Sequence, residues 1–161
     1  MLYLPAAFIK HCGGFKVLHR KPLNQKTILI IDDDYHELVI TRTVLTEAGF
    51  RVLLAEDGET GFNRAVFAKP DLIVLDVMMP GLDGYEIAGL LKGNRRTKDI
   101  PIIFKTCLNS GPSFVQSISS DVDDYIVKPC NHEDLVQRIN ALLQFSSLEF
   151  ARSRLLELQA S

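Results

Sequence analysis

The stretch ILIIDDDYHE, residues 28–37, runs four apolar residues into three consecutive carboxylates, Asp32, Asp33 and Asp34. Neighbouring carboxylates repel one another and raise each other's pKa unless cations or hydrogen-bond donors offset them. A segment that ends this way needs compensation from elsewhere in the chain. Four further runs resemble its apolar half: RVLLA (51–55), DLIVLD (71–76), IPIIF (100–104) and DYIVK (124–128). They are mostly β-branched or leucine and nearly continuous in apolar character, which suits parallel strands covered on both faces.

Helical patterns lie between these runs. Leu38, Thr41, Leu45 and Ala48 recur at helical offsets before Gly49, a good C-terminal stop. Weaker helices fit Gly61–Phe67, Tyr85–Leu91 and Pro112–Ser119, and a strong one fits His132–Leu143 with Leu135, Ile139 and Leu142 on one face. Five βα units with right-handed crossovers predict an α/β fold with a doubly wound parallel sheet. After Gln144 the segment SSLE reads as a capping box that starts a fresh helix at Ser146, and Leu148, Ala151, Leu155 and Leu158 follow at coiled-coil spacing.

Composition narrows the class of protein. The chain has 161 residues, 47% hydrophobic and 24% charged, as expected for one soluble globular domain. No apolar run approaches the roughly 18 residues that mark a membrane helix. Cys12, Cys107 and Cys130 show no metal-ligand spacing, which points to a reducing, cytoplasmic compartment and no membrane partner. Charge divides the chain into three parts: residues 1–26 carry +5, residues 27–144 carry −7 and the last 17 residues are neutral. So acidic a centre argues against direct nucleic acid binding. The expected organisation is a basic N-terminal extension (1–26), a central domain (27–145) and a C-terminal helical extension or the start of a linker coiled coil (146–161). LYLPAAFI near the N-terminus lacks the preceding basic residue and following cleavage site of a signal peptide, so an extension or a misassigned start codon is expected there.

In an open α/β sheet, ligands bind beyond the carboxyl ends of the strands, near the point where strand order reverses. The first expected strand ends in Asp32 and Asp33, the third in Asp76, the fourth in Thr106 and the fifth in Lys128. Three acids, a hydroxyl and an ammonium would share one rim. Singly, each is ordinary: carboxylates after strands are mostly turn or cap residues, and Asp34-x-x-Glu37 reads as a helix N-cap with its reciprocal partner.

With these motifs in view, ILIIDDD, PDLIVLDVMMPGLDG, IPIIFKT and DDYIVKP, in this order and spacing, the sequence resembles the receiver domain of two-component response regulators. The resemblance covers residues 27–144 and implies a flavodoxin-like, five-stranded sheet of order 2-1-3-4-5 with helices on both faces. It implies Asp76 as phosphoacceptor, Asp32 and Asp33 as the Mg²⁺-binding pair completed by Asp76 and the backbone carbonyl of Met78, Thr106 as switch hydroxyl, and Lys128 as the cation, followed by a Pro129 bond that is often cis. Tyr125 is either a packing aromatic or the rotameric partner of Thr106 in the switch. Such a protein catalyses only its own phosphorylation and dephosphorylation. Its partners would be a histidine kinase or phosphotransfer protein, a downstream protein, and a second copy through the face made by the expected fourth helix, the fifth strand and the last helix. The remaining loop residues Pro80, Gly81, Asp83 and Gly84 would shape the rim, with glycines where positive φ is cheap.

Two other readings compete. Asp32-x-Asp34 imitates the nucleophile and acid/base pair of haloacid-dehalogenase-like phosphatases, although His36 stands in an unusual place for that motif and Asp76 would go unexplained. A phosphorylation-independent pseudo-receiver would leave the five site residues without use. Departures from the receiver pattern are Lys105 at a usually apolar strand position, Cys107, Cys130 and Asp121. A buried lysine at position 105 would need a partner or would lose its proton.

Overall fold

A computed structural model describes residues 26–107 and 122–159. Its strands are β1 (Thr27–Ile31), β2 (Arg51–Ala55), β3 (Leu72–Asp76), β4 (Ile102–Thr106) and β5 (Asp124–Val127). The described helices are α1 (Tyr35–Glu47), α2 (Gly58–Ala68), α3 (Gly84–Gly93) and α4 (His132–Gln159). All strands pair in parallel in the order β2-β1-β3-β4-β5, so the flavodoxin-like reading is correct. The expected helix Pro112–Ser119 and Asp121 lie outside the described residues.

Alternation along each strand divides the core into two layers. Leu29, Ile31, Ile73, Leu75, Ile102 and Phe104 face one side, where Ala65 of α2 and Ile87, Ala88 and Leu91 of α3 pack. Ile28, Ile30, Leu72, Val74, Ile103 and Ile126 face the other, against Leu38 and Leu45 of α1 and Leu135, Ile139 and Leu143 of α4. The three central strands are buried along almost their whole length, whereas β2 and β5 form the half-exposed edges. Each fully buried Leu or Ile contributes about 1.5–3 kcal/mol, so the continuous apolar runs hold the sheet and fix its register.

Helix ends follow local chemistry. Asp34 caps α1 by accepting from the backbone N–H of His36 (2.8 Å) and Glu37 (3.4 Å), and Gly49 ends it with a positive φ of 93°. The reciprocal half of the expected capping box is not made: the Asp34 N–H donates to Asp32 Oδ1 at 3.0 Å, and the Glu37 side chain goes to Lys105. A full box forms instead at α3, where Asp83 and Glu86 exchange side-chain-to-backbone bonds of 2.9 Å.

The fresh helix start expected at Ser146 does not occur. Residues 132–159 form one helix. Neither Gly nor Pro interrupts this stretch, and the Ser146 hydroxyl donates to the Leu142 carbonyl at 2.9 Å within the helix rather than capping a new one. Its buried stripe uses Leu143, with Leu142 only partly buried.

Two glycines of the rim loop have different reasons for being glycine. Gly81 adopts a positive φ of 81°, as expected. Gly84 does not; a Cβ there would lie 2.3 Å from the Asp76 carbonyl oxygen and 2.7 Å from the Val77 Cα. Close backbone approach, not φ, excludes a side chain. We expect Gly84→Ala to cost about 1–3 kcal/mol through overpacking. Gly89→Ala on the same helix, with nothing within 4 Å of the added carbon, should gain about 0.5–1 kcal/mol from helix propensity. Urea denaturation of the two variants checks both signs.

Candidate functional site

The sheet order assembles the rim. Because β1 lies beside β3 with Ile31 opposite Leu75, Asp32 and Asp76 emerge as neighbours. β4 follows β3 with Asp76 opposite Lys105, and β5 follows β4 with Thr106 opposite Val127. Ladder-type bonds continue past the strand ends: Asp32 N–H to the Ala55 carbonyl (3.1 Å), Val77 N–H to that of Lys105 (3.2 Å) and Lys128 N–H to that of Thr106 (2.7 Å). Fixed backbones at the rim leave the side chains little room to wander.

Asp32 and Asp76 are 1% and 4% exposed, while Asp33 is open to solvent. One carboxylate oxygen from each lies within 4.8 Å of the others, a set that could hold a cation. Lys128 Nζ binds Asp76 Oδ2 at 2.9 Å and Asp32 Oδ2 at 3.1 Å. The second oxygen of Asp76 accepts from the Met78 N–H at 3.2 Å. Thus the lysine expected at this rim bridges the two buried acids, and its bond to Pro129 is cis.

Electrostatics follow from burial and this bridge. Desolvation pushes the Asp32 carboxyl up from its ordinary 3.8, with the charge of Asp76 adding to the rise; the Asp34 N–H and Lys128 pull the other way without cancelling it. Burial alone would lower the Lys128 ammonium, yet hydrogen bonding to Asp76 and the charges of Asp32 and Asp76 overcome that and raise it. Lys128 is therefore charged at every physiological pH.

Thr106 is 4% exposed, and its Oγ1 is buried without a hydrogen-bond partner among the described residues. A buried hydroxyl left unpaired costs free energy and invites an acceptor. Tyr125, opposite Phe104 on the edge strand, is 39% exposed. A hard, oxygen-lined acidic set with a neighbouring ammonium fits Mg²⁺ together with a phosphate oxygen, and the unpaired Thr106 hydroxyl fits a further phosphate oxygen.

Sequence reasoning singled out Lys105 but missed its partners. Lys105, 2% exposed, donates to Glu37 Oε2 and to Thr41 Oγ1 (3.1 Å), and its Nζ stands 3.7 Å from Asp32 Oδ2. Its hydrogen bond holds the Glu37 carboxyl below its ordinary 4.5 despite partial desolvation. The signal was present: Glu37 and Thr41 are one helical turn apart on α1, and a lysine in an apolar strand demands such partners.

The dehalogenase-like arrangement fails on Asp34: the acid/base that reading requires is committed to capping α1 through the N–H groups of His36 and Glu37.

Burial of the Asp32 charge makes a sign-definite prediction for metal-free protein. An acid whose folded pKa is raised binds more protons folded than unfolded, so stability falls as pH rises from 3.8 through the folded value and then stays low. Asp32→Asn removes that loss. In EDTA its melting temperature should exceed the wild type's at pH 7.5, with the advantage shrinking toward pH 4; calorimetric melts across that range measure it.

Comparison with known proteins agrees with this geometry. The family model of the response regulator receiver domain matches residues 28–140. The chain is 40% identical over 117 residues to the DNA-binding dual master transcriptional regulator RpaA of Synechocystis sp., covering 73% of this chain and 48% of that protein. It is likewise 40% identical over 119 residues to the phosphate regulon transcriptional regulatory protein PhoB of Pseudomonas aeruginosa, covering 74% and 52%. The chain thus spans about half the length of these curated relatives. Among solved structures, a CheY-like receiver domain from Methanospirillum hungatei superposes with a TM-score of 0.71 at 29% identity, covering 78% of this chain and 98% of that one. The chemotaxis protein CheY4 of Vibrio cholerae gives 0.67 at 27% identity, covering 73% and 98%. With a matching family model, matching relatives and the same strand order, this chain belongs to the response regulator receiver domain family of two-component systems.

Proposed function

We propose that Asp76 is the phosphoacceptor, and that the domain takes a phosphoryl group from a phosphohistidine on a histidine kinase or phosphotransfer protein. The observation that carries this is the pairing of Asp76 with Lys128 at 2.9 Å beside a cluster of three carboxylates, at the topological switch point of the sheet. Asp76 attacks the phosphorus, the P–N bond to the imidazole breaks, and the leaving nitrogen keeps the bonding pair. Phosphoryl transfer needs mainly alignment and neutralisation of charge on the equatorial oxygens. Lys128 supplies one fixed positive charge there, and the Thr106 hydroxyl donates to a second oxygen. Asp32, Asp33, Asp76 and the Met78 carbonyl would hold Mg²⁺, which supplies further charge neutralisation when bound.

Bonding Thr106 to the phosphoryl group gives the protein its switch. The hydroxyl has no partner among the described residues, so its new bond favours a backbone and side-chain arrangement that Tyr125 follows inward. The surface that changes is built from the expected helix at 112–119, β5 and α4, and we assign to it the downstream partner and a homodimer contact. We place the domain in the cytoplasm, with the receiver at 27–145, the basic extension at 1–26 before it and the helical extension at 146–161 after it. No helix among the described residues is long and apolar enough to cross a membrane. RpaA is a DNA-binding transcriptional regulator; in this chain we assign the receiver itself no direct nucleic acid contact and no chemistry beyond its own phosphorylation and dephosphorylation.

Incubation with acetyl phosphate and Mg²⁺ should add one labile phosphoryl mass to the intact protein. Asp76→Asn should lose the adduct entirely and Asp32→Asn should form it much more slowly. An adduct that survives Asp76→Asn would point to a different acceptor, and no adduct on the wild type would return the pseudo-receiver.

The lifetime of the phosphoryl group depends on a water held in line with phosphorus. Met78 flanks that approach two residues after the acceptor; it is 64% exposed and apolar, and so cannot orient a water. Leu108, the corresponding residue after Thr106, lies outside the described residues. We expect slow self-dephosphorylation, accelerated about tenfold by Met78→Asn with Leu108→Glu, roughly 1.4 kcal/mol of barrier. Decay of purified phosphoprotein measures the two rates, and equal rates would remove the water-positioning argument.

A further inference from the structure

We propose that Lys105 is a second, built-in cation of the acidic cluster, competing with a divalent metal for Asp32, and that Glu37 sets how strongly it competes. The inference rests on the reading that Asp32, Asp33 and Asp76 hold Mg²⁺, and concerns what regulates that site.

Strand alternation puts Lys105 on the face of β4 opposite Thr106, with Ile103, toward α1. A side chain of ordinary apolar type would end there inside the core. The ammonium instead reaches past it to the rim of the sheet, where β1 has just ended. It donates to Thr41 Oγ1 at 3.1 Å and to Glu37 Oε2, and stands 3.7 Å from Asp32 Oδ2. That oxygen is the one Lys128 binds at 3.1 Å. Asp32 Oδ2 therefore faces two ammonium groups, while Oδ1 is taken by the Asp34 N–H.

The two lysines have different companions. Lys128 pairs with two acids of the cluster, Asp32 and Asp76. Lys105 is divided between Asp32 and Glu37, and the Glu37 side chain is 39% exposed whereas that of Asp32 is 1% exposed. Water screens the attraction to Glu37 more than the attraction to the buried Asp32. A metal arriving at Asp32 meets a positive charge already in place, so its affinity is lowered. Glu37 draws the ammonium away from the cluster and moderates the effect. The bland alternative is that Lys105 and Glu37 only tie β4 to α1, with no influence on metal binding.

Isothermal titration of metal-free protein with Mg²⁺ distinguishes the two. Lys105→Met should tighten binding about tenfold, since the replacement keeps the apolar stem and removes only the charge. Glu37→Gln should weaken binding about threefold by releasing the ammonium toward Asp32. In the Lys105→Met background, Glu37→Gln should change affinity by less than twofold, because nothing is left to restrain; an undiminished threefold effect there would show Glu37 acting on the metal directly and overturn the proposal. Equal affinities in wild type and folded Lys105→Met, with binding abolished by Asp33→Ala, would also overturn it while leaving the metal site intact. Absence of Mg²⁺ binding in both wild type and Lys105→Met would overturn the site and the proposal together. If Lys105→Met does not fold, Glu37→Gln decides: weakened binding supports the competition, and unchanged binding overturns it.

Discussion

The rim is organised by one shared ammonium. Parallel pairing of β1 with β3 forces Asp32 and Asp76 side by side at the carboxyl end of the sheet, each almost fully buried. Two carboxylates so placed would repel and would each be penalised by desolvation. Lys128, arriving from the end of β5, lies within hydrogen-bond reach of both. Its charge stabilises a geometry that the sheet imposes for other reasons, namely the burial of Ile28–Ile31 and Leu72–Leu75 between helix layers. Remove the bridge, and topology and electrostatics come into conflict at the same two residues.

Strand alternation then gives the site two sides. Thr106 and Lys105 are adjacent in sequence, but pleating sends them to opposite faces of β4. Thr106 lies on the side of Phe104, α2 and α3, and its hydroxyl finds no partner among the described residues. Lys105 lies on the α1 side and finds Glu37, Thr41 and Asp32. The two adjacent residues thus approach the cluster of acids from different layers of the molecule, one poised to gain a bond and the other already holding several.

Much of this was legible in the sequence, for identifiable reasons. Apolar runs of four or five residues are best satisfied by strands covered on both faces, so ILII, DLIVLD and IPIIF marked the central strands, and the strand-end rule then gathered Asp32, Asp33, Asp76, Thr106 and Lys128. What escaped was decided by contacts distant in sequence. Asp34-x-x-Glu37 satisfies a local rule for a capping box, but Glu37 lies 68 residues from Lys105 and is drawn to it instead. A buried ammonium gains more from that carboxylate than an N-cap N–H that already donates to Asp32 would. Ser146 likewise satisfies a local start rule, yet a helix already propagating through residues without Gly or Pro gains more by continuing than by restarting. Gly84 fits a turn rule but obeys a packing one, since only the folded loop brings the Asp76 carbonyl against it.

The unpaired Thr106 hydroxyl bounds how strong a switch this fold can be. A buried hydroxyl without a partner costs about 1–3 kcal/mol relative to a bonded one. A ligand shifts a conformational equilibrium only by its differential interaction with the two states. On the proposed reading, the bond from Thr106 to the phosphoryl group exists in one state alone, so about 1–3 kcal/mol becomes available to move the surface around β5, a shift of roughly 5–150-fold in population. Such a shift biases the domain without locking it. An unphosphorylated receiver would therefore visit the active arrangement at a low level, and the environment of Lys105 and Asp32 on the other face of the sheet would set how often the reaction that raises that level begins.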